Sequence, residues 1–130
     1  ERAYTIISNS KHKIHLQTYI FSDDATGLAT IKHLAAAVKR GVEVYLLVDA
    51  FGSYELKKHT IKMLKESGRK GRRESPRMSG YHIRFGRRLH HKILVADGEE
   101  ALIGGINFDY KYHLAGHNSP WLDYAVYTTG

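Results

Sequence analysis

The run from Val42 to Asp49, VEVYLLVD, places the tightest constraint on the fold. It is nearly continuous in apolar and β-branched character and follows a glycine, Gly41. A short run of this kind reads as a central parallel strand covered on both faces. Before it, Leu28, Ile31, Leu34, Ala35 and Val38 make an apolar stripe at helical spacing. Asp23, Asp24 and Thr26 offer capping oxygens at its start, and Lys39, Arg40 and Gly41 mark its end. Further upstream, Lys13 to Phe21 alternates as a strand does, with Ile14, Leu16, Thr18 and Ile20 on one side and His15, Gln17 and Tyr19 on the other. Ala3, Ile6 and Ile7 suggest a short leading helix between Glu1 and Ser10. After Gly52, Ser53 is placed to cap a helix through Ser67, with Leu56, Ile61 and Leu64 facing the core and Gly68 closing it. Strand, helix, strand, helix implies right-handed βαβ units and an α/β fold.

From Gly68 to Gly80 this pattern stops, and Gly, Arg, Lys, Ser and Pro predict a basic loop. Tyr81 to Phe85 reads as a short strand and Trp121 to Thr128 as a last one. Between them lies RRLHHKILVADGEEALIGGINF, Arg87 to Phe108. Asp97-Gly98 between the apolar runs Ile93 to Ala96 and Ala101 to Ile103 is a strong signal for a two-residue hairpin turn. Residues facing one another would then have numbers summing to 195. In that register His90, Lys92, Gly105 and Asn107 project to one side and His91 to the other. Three groups suited to holding a phosphate meet there, beside Gly104 and Gly105, which let a ligand approach the backbone. The plain alternative is an exposed hairpin with polar residues on its solvent face.

Composition bounds the rest. A chain of 130 residues with 42% hydrophobic content supports one core and one domain, residues 1–130. The absence of cysteine excludes a disulfide scaffold and any Cys-based zinc site, and is compatible with a reducing compartment. No apolar run approaches the ~20 residues that span a bilayer, and no signal peptide opens the chain. It begins on Glu1 rather than Met, as an excised piece of something longer would. The formal charge of +7 is concentrated: between Gly68 and Lys92 nine bases stand against Glu74 alone, whereas the remainder holds 11 bases and 12 acids. Such an excess points to an anionic partner, with a solvated loop as the alternative.

His90-x-Lys92-x4-Asp97, followed after six residues by Gly104-Gly105-x-Asn107, resembles the HxKxxxxD(x)6GGxN signature of the phospholipase D superfamily. TYIFSDDATG, LAAAVKRGVEVYLLVDAFGS and WLDYAV are similar to the segments around that motif in bacterial cardiolipin synthases. The resemblance implies a mixed β-sheet flanked by helices (βαβαβ plus an antiparallel hairpin) and phosphodiester chemistry through a phosphohistidine, with no cofactor and no metal. It makes His90 the catalytic His, Lys92 and Asn107 the groups that stabilise phosphoryl charge, and Asp123 of WLD the carboxylate that fixes the imidazole tautomer. Gly104, Gly105 and Arg88 become substrate-binding positions. Asp97 lies seven residues along an extended strand, about 20 Å from His90, so its part in the motif is structural.

Other residues carry weaker signals. His113 and His117 stand at i and i+4, a spacing that binds metal on a helix, yet no third ligand is placed, and a loop pair is the better reading. Asp49 ends a parallel strand, where α/β sheets bind ligands, although capping the next turn is the simpler duty. Tyr110 and Tyr112 are candidates to line a lipid or nucleotide pocket, with ordinary packing the better reading, and His91 reads as a residue of the opposite face. Ser8 and Ser53 have no His and Asp arranged as a hydrolase triad. The chain holds one His-x-Lys, whereas the superfamily mechanism uses two, one nucleophile and one acid. The second motif must come from another part of a parent chain or from a second copy. Three functions follow. The leading one is a cardiolipin synthase-like phosphatidyltransferase acting on phosphatidylglycerol at the bacterial cytoplasmic membrane, with this chain as its N-terminal catalytic half. The alternatives are a homodimeric endonuclease, with nucleic acid as partner, and a non-catalytic anion-binding or dimerisation module.

Overall fold

The computed structural model describes residues 1–67, 80–84, 90–112 and 121–130. The expected basic loop 68–80, apart from Gly80, therefore lies outside the described residues, as do Arg88, His113 and His117. A helix α1 (Arg2–Asn9) leads into strand β1 (Lys13–Thr18), helix α2 (Ala25–Lys39), strand β2 (Glu43–Asp49) and helix α3 (Lys58–Ser67). Strands β3 (Gly80–Arg84), β4 (Lys92–Ala96), β5 (Glu100–Gly104) and β6 (Ala125–Thr129) follow, with one 3-10 turn at Tyr110–Tyr112.

All six strands form one sheet in the order β3-β2-β1-β4-β5-β6. β2 runs parallel to both neighbours, β1 and β3, while β4, β5 and β6 continue the sheet antiparallel. This is the α/β mixed sheet flanked by helices that the sequence implies. The core lies on one face of the sheet: Ile14 and Leu16 of β1, Val44, Leu46 and Val48 of β2, and Leu94 and Ala96 of β4 pack under Ile6, Ile7, Ile31, Leu34, Val38, Ile61 and Leu64 of the helices. Fully burying each such side chain is worth about 1.5–3 kcal/mol, which makes this layer the dominant stabilising feature. The expectation that β2 is covered on both faces is corrected, because its burial alternates and Glu43, Tyr45 and Leu47 stay half-buried. Apolar content along a strand reports suitability for burial, and the covering layer is a matter of what else packs on it.

Two local expectations also change. Ser53 does not cap a helix: α3 starts only at Lys58, and Ser53 Oγ instead donates to Tyr19 O (2.9 Å) and accepts from Phe21 N (3.0 Å). The hydroxyl therefore ties the turn after β2 to the end of β1. α2 is capped as expected, with Asp24 Oδ1 accepting from Thr26 N and Gly27 N.

The hairpin register differs by one residue. Lys92 pairs with Gly104, Leu94 with Leu102 and Ala96 with Glu100, so facing numbers sum to 196 rather than 195. Asp97 (φ 57) and Gly98 (φ 76) do make the left-handed turn, closed by Glu99 N to Ala96 O at 3.0 Å. Glu99 is then an extra residue whose carbonyl accepts from Gly130 N of the β6 end (2.9 Å). A one-residue shift exchanges the two faces of one strand relative to the other. Lys92 therefore shares its face with Gly104, and Gly105 and Asn107, beyond the end of β5, are positioned by the chain's later course.

Candidate active site at the rim of the sheet

Lys92 is the first residue of β4 and lies in the row of the buried Leu94 and Ala96, so it carries the core face out to the rim. Its Nζ donates to His90 O (2.6 Å). The exposed His90 stacks on Tyr19 with ring centroids 4.2 Å apart and planes inclined by 22°, and the Lys92 ammonium lies 5.5 Å from the centre of the same Tyr19 ring. Partial burial holds the Lys92 pKa below the ordinary lysine value, and the Asp123 carboxylate acts the other way.

Asp123 approaches from the segment before β6. Its Oδ1 accepts from Tyr124 N (2.7 Å), and its carboxylate rests against Gly105, where a Cβ would overlap both carboxylate oxygens. Gly105 N also donates to Tyr124 O (2.9 Å). A Cβ on Gly104 would overlap Tyr124 O and lie 2.5 Å from Ala125 Cα. The space that two glycines leave open is thus filled by the chain's own 123–125 segment. No hydrogen bond joins Asp123 to His90 among the described residues; the carboxylate is placed by Gly105 and by its charge on Lys92.

Asn107 is only 6% exposed. Its Oδ1 accepts from Ile20 N (3.0 Å) and from Thr18 Oγ1 (3.4 Å), and its Nδ2 donates to the Tyr112 hydroxyl (2.8 Å). The amide oxygen thus holds the end of β1 while one N–H of the amide remains without a partner among the described residues. The Phe21–Phe108 bridge, with Ser22 N donating to Phe108 O (3.1 Å), secures the same crossing. Tyr112 packs edge-on against Trp121, with centroids 5.7 Å apart.

Asp97 sits at the far end of the hairpin. Its carboxylate accepts from the backbone N–H groups of Lys11, His12 and Lys13 at 2.7–2.8 Å. Burial alone would raise its pKa, but these three bonds together outweigh it and hold the carboxyl below the ordinary value. Asp49 Oδ1 likewise caps its own turn, accepting from Phe51 N and Gly52 N (2.9 Å each). His91 is exposed. Ser8 Oγ does meet His33 Nδ1 (3.2 Å), but that imidazole stacks on Tyr4 and, among the described residues, bonds to no carboxylate.

The rim therefore brings His90, Lys92 and Asp123 together, with Asn107 behind them as a buried support. An imidazole beside an ammonium is a chemical set suited to a phosphodiester. Tyr19 was not among the expected site residues, and Tyr112 was weighed as a pocket residue but read as packing. Strand alternation assigns Tyr19 to the outer side of β1, and only the chain's turn after Thr18 brings its ring to His90.

Comparison with known proteins places the chain in a family. The family profile described as "Cardiolipin synthase, PLD-like domain" matches residues 4–122. Cardiolipin synthase B of Escherichia coli K12 is 32% identical over 129 residues, covering 98% of this chain and 31% of that protein. The major cardiolipin synthase ClsA of Bacillus subtilis is 34% identical over 113 residues, covering 86% of this chain and 23% of its own length. The chain thus spans a third or less of these relatives. Among solved structures, the phospholipase D family member Nuc of Salmonella typhimurium shares the fold with a TM-score of 0.57 at 23% identity, over 83% of this chain and 63% of that one. With the profile match running through the hairpin and on to Leu122, the chain belongs to the phospholipase D-like domain family of cardiolipin synthases.

Proposed function

We propose that this chain supplies one half of a phosphatidyltransferase site that joins two phosphatidylglycerol molecules with release of glycerol. In this mechanism His90 Nε2 attacks the phosphorus of a phosphatidylglycerol. The P–N bond forms as the P–O bond to glycerol breaks, and the departing oxygen takes a proton from the histidine of a second motif. The glycerol hydroxyl of a second lipid then gives its proton to that same histidine and attacks phosphorus, and the P–N bond breaks to regenerate His90. Lys92 meets the negative charge that spreads over the non-bridging oxygens, and the remaining N–H of Asn107 supports it. Asp123 keeps Lys92 charged, and Arg88 contributes to headgroup binding. The observation that carries the proposal is the joint placement of His90 and Lys92 at the open rim of the sheet, bound to one another through His90 O.

The relatives extend well beyond the matched stretch, which leaves room for the second motif in a longer chain; a second copy is the other source. Anionic lipid as substrate places the enzyme at the bacterial cytoplasmic membrane, and among the described residues no helix is long and apolar enough to cross it. The alternative, a homodimeric endonuclease, draws on the single motif and the basic excess between Gly68 and Lys92. The intact protein is tested with phosphatidylglycerol vesicles and, separately, with DNA, both in EDTA. Cardiolipin and glycerol should form, and His90→Ala should abolish them. Lipid product that persists in that variant refutes the mechanism, and DNA cleavage without lipid turnover selects the endonuclease.

A further inference from the structure

We infer that Tyr19 is a positioning residue of this site, whose aromatic ring sets the plane of the His90 imidazole and steadies the Lys92 ammonium; the inference rests on the catalytic roles proposed for His90 and Lys92. Three independent contacts fix the ring. On one side the imidazole stacks at 4.2 Å, nearly parallel, an arrangement in which offset aromatic faces attract. The Lys92 ammonium lies 5.5 Å from the ring centre, within reach of its negative quadrupole. Gly52 also meets the ring so closely that a Cβ there would lie 2.9 Å from two ring carbons and 2.5 Å from Tyr19 O. That backbone is held in turn by Ser53 Oγ donating to Tyr19 O (2.9 Å). The Gly52-Ser53 turn is itself closed by Asp49, which accepts from Phe51 N and Gly52 N. A chain of short contacts therefore runs from the end of β2 through Tyr19 to both candidate catalytic side chains.

His90 needs such a support because nothing else among the described residues holds its ring. It is exposed, it precedes β4 rather than lying within it, and among the described residues no hydrogen bond reaches either ring nitrogen. An imidazole that attacks phosphorus must present one nitrogen within a narrow cone, and misplacement by an ångström is costly in rate. Stacking restricts the ring plane while leaving both nitrogens free for a proton and a phosphorus. The Tyr19 hydroxyl has no partner among the described residues, so the ring rather than the oxygen is assigned the role.

The test uses the intact protein with phosphatidylglycerol vesicles and compares Tyr19→Phe, Tyr19→Leu and His90→Ala. Tyr19→Phe keeps the stacking face and should retain kcat within about threefold, whereas Tyr19→Leu should lower kcat roughly 10- to 100-fold with little change in KM. The upfield ring-current displacement of the His90 imidazole protons should persist in Tyr19→Phe and vanish in Tyr19→Leu, read by NMR on histidine-labelled protein. A Tyr19→Leu enzyme that is folded and has wild-type kcat overturns the inference, as does a Tyr19→Phe enzyme as slow as Tyr19→Leu. Full activity in His90→Ala is a separate outcome: it removes the catalytic reading on which the inference rests.

Discussion

Lys92 and Asp123 show how one charge conditions another at the site. Desolvation lowers the Lys92 pKa and Asp123 opposes it, so replacing Asp123 by Asn leaves only the lowering influence. The alkaline limb of the kcat profile, where Lys92 loses its proton, is expected to move to lower pH in Asp123→Asn; a limb that stays in place or moves up contradicts the pairing. Asp97 illustrates the opposite use of a carboxylate. Because its folded pKa is lowered, its contribution to stability is fully present above the unfolded value of about 3.9 and is lost as pH falls through the folded one. Asp97→Ala, which also leaves an alanine at φ 57, should cost about 1–3 kcal/mol in urea unfolding at neutral pH. The cost should shrink in acid. His90, Lys92 and the Asp97 turn were legible because each is a residue type at a fixed spacing. Tyr19 was not, since period-two alternation predicts a strand's face but not the direction of the chain after the strand ends.

At the scale of elements, the closing of β5 against β6 depends on bare backbone. A methyl group on Gly104 would meet the backbone of Tyr124 and Ala125, neither of which can swing aside as a side chain can. Gly104→Ala should therefore separate the two strands, destabilising the protein by about 1–3 kcal/mol. Hydrogen exchange should speed up at the amides of β6 while those of β1 and β2 stay protected. Uniform protection in the variant would show that the strands accommodate the methyl. The same contacts explain why the glycine pair was only half legible. Two glycines in a strand announce a close approach, but the sequence does not say whether a ligand or the chain itself makes it. The hairpin has a similar lesson. Asp97-Gly98 correctly announces a left-handed turn, yet register is decided by how Glu99 is used, and its carbonyl is taken by Gly130, 31 positions further on. Helix caps behave more locally: Asp24 was readable because its partners, Thr26 and Gly27, are its neighbours.

For the whole molecule, the alternation of strand and helix up to Ser67 was readable because each unit buries a local stripe, whereas the sheet order was not, because β4 pairs with β1 although β2 and β3 intervene in the chain. The half-buried face of β2 was not readable either, because apolar pattern alone does not name a covering layer. In the proposed mechanism catalysis is also a property beyond this chain, with a second histidine required for the proton. If phosphoryl charge is met by side chains such as Lys92 rather than by a metal ion, EDTA should leave turnover of phosphatidylglycerol unchanged, and a loss restored by a divalent ion would contradict that electrostatic account. The most direct test of the central claim is to trap the covalent intermediate. The intact protein is mixed with phosphatidylglycerol, quenched within one turnover, and mapped by peptide mass spectrometry. A phosphatidyl group on the peptide containing His90, absent in His90→Gln, is the predicted result; turnover with an unmodified His90, or with the adduct on another residue, would contradict it.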